Sequence, residues 1–342
     1  MRWFGRRAGL LIALSIGAPT AHALDGARAP SQYVIATWGA PQLGSNTVRA
    51  LVQTRDGYLW LGTGAGLVRY DGARFTLFDA RNTPVIGDGG VSALAEGPNG
   101  ALYFGTTAGA VIQYKDGKFT RVPLRDGTGP VYACLAARDG TLWIGQHGYP
   151  IIHWIPGSPA AYFGGETNLI SPLAIVEDGD RGLWFGTSDG LVHYDGTIFT
   201  RETAMTDAVQ ALHRDEDGTL WIGTPHGLLT QRAGVLGLFT KRDGLPHDDV
   251  SVVTRDRGGN LWVGTREGLA RMRDGRFASL TTPLGLSDDD VRALFEDREG
   301  NLWVGTANGL TALSDGRFAT YGRAEGLPGA CLLYTSPSPR DS

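Results

Sequence analysis

The stretch VSVVTRDRGGNLWVGTREGLARMRDGRFASL, residues 250–280, decides the fold. It contains four short runs rich in Val, Leu, Trp and Phe, with a period of two rather than the 3.6 of a helix. Turn residues separate the runs: R-D-R-G-G ahead of Asn260-Leu261-Trp262, R-E-G at 266–268 and R-D-G at 273–275. Such Gly/Asp/Asn turns suit tight hairpins, whose backbone needs positive φ. One stretch therefore predicts four antiparallel strands joined by three hairpins.

The same pattern recurs along the chain. Leu-Trp pairs place Trp60, Trp143, Trp184, Trp221, Trp262 and Trp303 in one slot, which Tyr103 occupies in a further unit, at spacings of 43, 40, 41, 37, 41 and 41 residues. A fixed period near 40 is the mark of a repeat architecture. Four placed glycines in each of seven units account for 28 of the 51 glycines, and the rest are ordinary usage. A four-stranded sheet with apolar residues on both faces needs a neighbour on each side. Radial packing of seven sheets supplies it, so the expected fold is all-β, a seven-bladed β-propeller of four-stranded antiparallel blades. An open β-solenoid is the second choice, but its coils are shorter and lack three hairpins per unit. YVIATWGAPQLGSN at 33–46 resembles the fourth-strand segment FATYGRAEGLPGA at 318–330. The strand Tyr33 to Trp38 is thus expected to pair into blade seven and close the ring. Phe318 onward would then be displaced, or would lead into an eighth repeat.

The two ends read differently from the repeats. Arg2, Arg6 and Arg7 precede the apolar run Ala8 to Ala18, and Ala21-His22-Ala23 gives a small-x-small cleavage site. Residues 1–23 are therefore expected to be a secretory signal peptide, because the apolar run is about half the roughly 20 residues a membrane span needs. A periplasmic or other extracytoplasmic location follows. The last residues, 331–342 (CLLYTSPSPRDS), break every earlier pattern and resemble a translated sequencing adapter. They are expected to be non-native, with the natural chain continuing past Ala330. The repeat domain is then residues 32–330.

Composition excludes several functions. The 31 Lys+Arg against 35 Asp+Glu give a net charge of −4 without a basic block, which disfavours nucleic-acid binding. Two cysteines, Cys134 and Cys331, cannot build a disulfide framework. The histidines beyond the signal, at 147, 153, 193, 213, 226 and 247, form no HExxH or similar pair. Acidic turns such as D-E-D-G at 215–218 lack calcium-loop spacing and read as hairpins. No P-loop is present. No cofactor, metal or catalytic residue is assigned. The Leu-Trp positions could act as sugar-stacking platforms, but one aromatic per blade at a fixed strand position reads first as core.

The recurrent pattern G-L-P-x-x-x-V-x-x-L, D-x-x-G-x-L-W-x-G-T-x-x-G-L-x-R-Y-D-G-x-F resembles two-component regulator propeller repeats from Gln32 to Ala330. Residues 51–79, KRDGLPHDDV at 241–250 and NLWVGTANGL at 301–310 carry it most closely, while blade three (IGQHGYPIIHWIPG, 144–157) departs most. The resemblance implies the extracytoplasmic ligand-binding sensor of a bacterial receptor. Its downstream parts would be a second propeller, a small β domain, a membrane helix and a histidine kinase, diguanylate cyclase or DNA-binding output. The membrane would be met only through such a later segment, and the full receptor could be a homodimer.

Propeller ligands meet the mouth of the central channel, near the loops that enter the innermost strand V-x-A-L. There a ligand must break the sevenfold equivalence, so departures among blades are the candidates for ligand binding: Asn46, Arg49, Tyr132, Gln210, Asp248, Asp249, Asp289, Asp290 and Arg292. Mixed Arg, Asp and Asn groups beside one Tyr suit a hydroxyl- or charge-bearing small molecule, carbohydrate among them. His147 and His226, in the second hairpin, are expected to lie elsewhere. A free-standing periplasmic propeller enzyme of lyase or hydrolase type, and a scaffold for protein partners, are the alternatives to a sensor.

Overall fold

A computed structural model describes residues 23–125, 127–163, 171–179 and 182–315. The signal segment up to His22, the segment from Phe318 to Ala330 and the tail from Cys331 lie outside them. The described residues form seven four-stranded antiparallel sheets arranged as a propeller, as the repeat predicts. In blade one the strands are Val48–Gln53, Leu59–Thr63, Gly66–Tyr70 and Phe75–Phe78, from the axis outward. Blade seven takes Val291–Glu296, Leu302–Thr306 and Gly309–Ser314 from its own repeat and Val34–Trp38 as its outer strand. Val34 stands opposite Ser314 and Trp38 opposite Leu310, so the ring closes through the strand expected to do so.

The W-x-G-T motif explains how the blades fit. A Cβ on Gly62 would lie 2.8 Å from the carbonyl oxygen of Val91, the first residue of the next blade's inner strand. Gly305 stands in the same relation to Val48, across the closure between blades seven and one. Glycine is required here for close approach, whatever its φ. The threonine that follows is buried and locks the next hairpin. Thr63, Thr187, Thr224, Thr265 and Thr306 each donate to the carbonyl of the glycine three residues on, at 2.8–3.0 Å. Those glycines have positive φ, 135° at Gly268, which a side chain would strain.

The repeated aromatics are core, as sequence favours: six of the seven are buried, and Trp184 is half-buried. Their indole nitrogens reveal a use for the acidic turn. Trp221, Trp262 and Trp303 each donate from Nε1 to the aspartate six residues earlier, Asp215, Asp256 and Asp297, at 2.7 Å. Trp60 does the same to Thr54 Oγ1 at 2.9 Å. The D-x-x-G turn therefore caps a buried indole as well as turning the chain. Blade four differs, because Asp178 instead meets His193 Nε2 at 2.9 Å and Arg214 Nε at 2.6 Å.

Candidate functional site

Antiparallel pairing fixes what shares a face. The start of each inner strand lies beside the end of the second strand, as Val48 beside Thr63. The loops entering the inner strands and the hairpins after G-T therefore gather at one mouth of the propeller. His147 and His226 sit in those hairpins, so they lie at the mouth, contrary to expectation. His147 Nδ1 is 3.2 Å from Tyr132 Oη, and His226 Nδ1 is 3.2 Å from Asp207 Oδ2.

Six of the seven inner strands enter through an irregularity, blade five being the exception. The pairing slips between Val48 and Ala50, Val91 and Ala93, Val131 and Ala133, Pro172 and Ala174, Val250 and Val252, and Val291 and Ala293. A bulge leaves one residue out of the ladder and re-aims its side chain. The residues so placed are Arg49, Ser92, Tyr132, Leu173, Ser251 and Arg292, with Gln210 at the matching place ahead of Ala211. Two are used structurally: Ser92 and Ser251 hydroxyls donate to the carbonyls of Val131 and Val291 in the next blade. The other five are two arginines, a tyrosine, a leucine and a glutamine, which is where the sevenfold pattern breaks.

The predicted residues fall into three groups. Blades seven and one bring Arg49, Asp290 and Arg292 together. Arg292 pairs with Asp290 at 2.8 Å, whereas half-buried Arg49 has no acidic partner among the described residues. Burial first, and then the positive charge of Arg292, lower the pKa of Arg49, which remains a cation. Blades five and six join Gln210 to Asp249 at 3.1 Å, and Asp249 also holds Arg266 at 2.8 Å. Asp249 N donates to His247 Nδ1 at 2.9 Å. Tyr132 meets His147 in blade three, with rings edge to face at 5.8 Å.

Asp248 and Asp289 are engaged within their own loops. Asp248 accepts from the backbone N of Lys241 at 2.7 Å, and Asp289 accepts from that of Thr282 at 2.6 Å. Each ties a short 3-10 turn, Lys241–Asp243 or Thr282–Leu284, to the strand that follows. Asn46 is exposed on the loop before Val48. Sequence reasoning missed Arg266, His247 and His147. The signal available was the G-T hairpin, once antiparallel pairing puts it on the mouth face.

The described residues hold no group of three or more His, Cys, Asp or Glu placed for a metal ion. Cys134 is free, on the inner strand of blade three, and burial pushes its thiol pKa up to about 12.

Four stretches match the profile of the family described as two component regulator propeller: residues 42–65, 205–226, 244–267 and 285–308. Each runs through the mouth loop, inner strand and second strand of one blade. These four stretches are similar to two component regulator propeller repeats. The matched regulator repeats are blades one, five, six and seven, and the strongest departure from the pattern, blade three, is not among them. No curated protein matches by sequence. The propeller is similar to the extracellular domain of a protein named as a hybrid two component system of B. thetaiotaomicron. That match has a TM-score of 0.73 and 20% identity, over 84% of this chain and 43% of that one. It is similar to virginiamycin B lyase from Staphylococcus aureus, solved with quinupristin, at a TM-score of 0.67 and 13% identity over 83% and 99%. It is also similar to PorZ of Porphyromonas gingivalis, a surface component of the type-IX secretion system, at 0.64 and 18% over 82% and 49%. This chain thus spans less than half of the first and last of these, and the likenesses show the fold. That fold serves a lyase as well as an extracellular receptor domain and a secretion-system component. Among the described residues no helix is long and apolar enough to cross a membrane.

Proposed function

We propose that this regulator propeller is the extracytoplasmic ligand-sensing part of a signalling receptor, and that its ligand is a small molecule bearing an acidic group. The observation that carries the reading is Arg49: a half-buried cation at the channel mouth, without an acidic partner among the described residues, beside a second arginine. A buried charge is kept at a cost unless something neutralises it, and a carboxylate, sulfate or phosphate on a ligand does so through a bidentate contact. Hydroxyls of a carbohydrate would find Gln210, Asp249 and Tyr132 around the same mouth. Signalling requires the ligand to favour one arrangement of the propeller against its neighbouring domains. Those neighbours would be the downstream receptor domains, a membrane segment among them, and a second copy in a homodimer.

The test is calorimetric titration with a panel of acidic sugars, their neutral counterparts and simple dicarboxylates. Arg49→Ala should lose binding of the acidic members by roughly tenfold or more, with no loss in melting temperature. Binding unchanged in both Arg49→Ala and Arg292→Ala would overturn the reading.

A catalytic reading has one observation of its own. Tyr132 Oη and His147 Nδ1 at 3.2 Å form a hydrogen-bonded pair able to move a proton at the mouth. It predicts turnover of a bound molecule that His147→Ala abolishes, whereas a sensor binds without turnover. A pure scaffold would bind neither class of small molecule.

A further inference from the structure

On the face opposite the mouth, the hairpins after the inner strands leave clefts between neighbouring blades. The cleft between blades one and two encloses about 170 Å³ and that between blades three and four about 370 Å³. Small-molecule sites run from about 300 to 1,000 Å³, so only the second reaches that range. The two clefts are built alike, but two positions beside the tryptophan differ. In the smaller, Thr54 stands six residues ahead of Trp60 and accepts its indole hydrogen at 2.9 Å. In the larger the same position is Ala137, whose methyl lines the cavity, and the indole of Trp143 has no acceptor among the described residues.

The second is His153, whose ring lines the cavity, where blade one has Arg69. His153 stacks on Trp143 with ring centroids 4.1 Å apart and planes 15° from parallel. Its Nε2 is buried and has no partner among the described residues. His193 stands in the same relation to Trp184 in the next blade, yet has Asp178 at 2.9 Å. Leaving a buried nitrogen such as His153 Nε2 unpaired costs on the order of 1–3 kcal/mol. Burial lowers the pKa of His153 against the pull of Asp139, so its ring is neutral at neutral pH. At the rim Arg138 Nε meets Glu177 Oε2 at 2.9 Å, and Asp139 adds a further negative charge. That balance disfavours an anion, and Tyr194 supplies an aromatic wall.

We propose that this cavity is a second ligand site, on the face away from the mouth, for a small neutral hydroxyl-bearing molecule. One of its oxygens accepts from Trp143 Nε1, and the rings of His153 and Tyr194 wall the site. The inference stands independently of the function proposed above, because it shares no residue with the mouth.

The test is a nitrogen-15 titration of the protein that follows the indole N–H of Trp143, assigned by its loss in Trp143→Phe. Glycerol, myo-inositol and glucose are the probes, with acetate as the anionic control. At least one polyol should shift this resonance saturably, acetate should not, and the Trp60 indole should stay still. Ala137→Asp installs the carboxylate that other blades use, and should raise the melting temperature and weaken polyol binding at least roughly tenfold. Should that variant not fold, Ala137→Thr, the residue of blade one, makes the same test. No saturable shift with any polyol, as from a cavity that holds only water, would overturn the proposal. So would a shift with acetate, or one that survives filling position 137.

Discussion

The indole nitrogen of Trp262 donates to Oδ2 of Asp256 across 2.7 Å, with both residues shut away from water. Asp256 also accepts from the backbone N and the side-chain amide of Asn260, each at 2.8 Å. Removing the carboxylate strands three donors at once. Asp256→Ala should therefore cost about 3 kcal/mol in urea unfolding, with an unchanged denaturant slope. Thr54→Ala, which strands chiefly the indole of Trp60, should cost nearer 1 kcal/mol.

The same turn position titrates in opposite directions in two blades. Burial works against the charge of Asp215, but hydrogen bonds from His213, Arg255 and Trp221, with the Arg255 charge, hold its pKa well below 3.8. Its contribution is present above that value and fades as pH falls through the folded-state pKa. Thermal melts at falling pH should show wild type losing its advantage over Asp215→Asn in acid. At Asp297 burial outweighs the bonds from Asn301 and Trp303 and raises the pKa. Its contribution is present below 3.8 and is lost as pH rises through the folded-state pKa, a slope that Asp297→Asn should remove.

Trp38, on the closing strand, stacks on Trp303 at 5.5 Å and meets Phe75 of blade one edge to face at 5.8 Å. Trp38→Ala should cost about 3 kcal/mol. Deleting residues 33–38 should sharply lower the melting temperature, since it also strips blade seven of its outer strand. An unchanged melting curve would refute closure through this strand.

At Gly62, alanine would press its methyl onto the Val91 carbonyl. Gly62→Ala should destabilise by about 1–3 kcal/mol through overpacking, seen as a lower midpoint in urea. Exposed Asn46, also at the mouth, should tolerate alanine.

The repeat, the blade count and the closing strand were legible because period, turn chemistry and self-similarity are local signals. The reason for the acidic turn was not: D-x-x-G is sufficient as a hairpin, and nothing local shows that Asp215, Asp256 and Asp297 reach an indole. The mouth was half legible. Departures at Arg49, Tyr132 and Arg292 could be found by comparing blades, but their pairing depends on bulges, on the hairpin that brings His147 to Tyr132 and on the ring closure that brings Arg292 to Arg49. His147 was misplaced because hairpin and entry loop are distant in sequence yet share one end of every antiparallel blade.

The pairing of Val34 with Ser314 also sets the order of assembly. A ribosome delivers the outer strand of blade seven first and the rest of that blade last, with six complete sheets made in between. Until then Val34–Trp38 has no ladder to join, and the loop that its docking closes spans nearly the whole described chain. Blades one to six can form from local contacts, whereas the final step carries the highest contact order in the molecule. A circularly permuted gene that opened the chain between two blades would turn that last, slow search into one more hairpin.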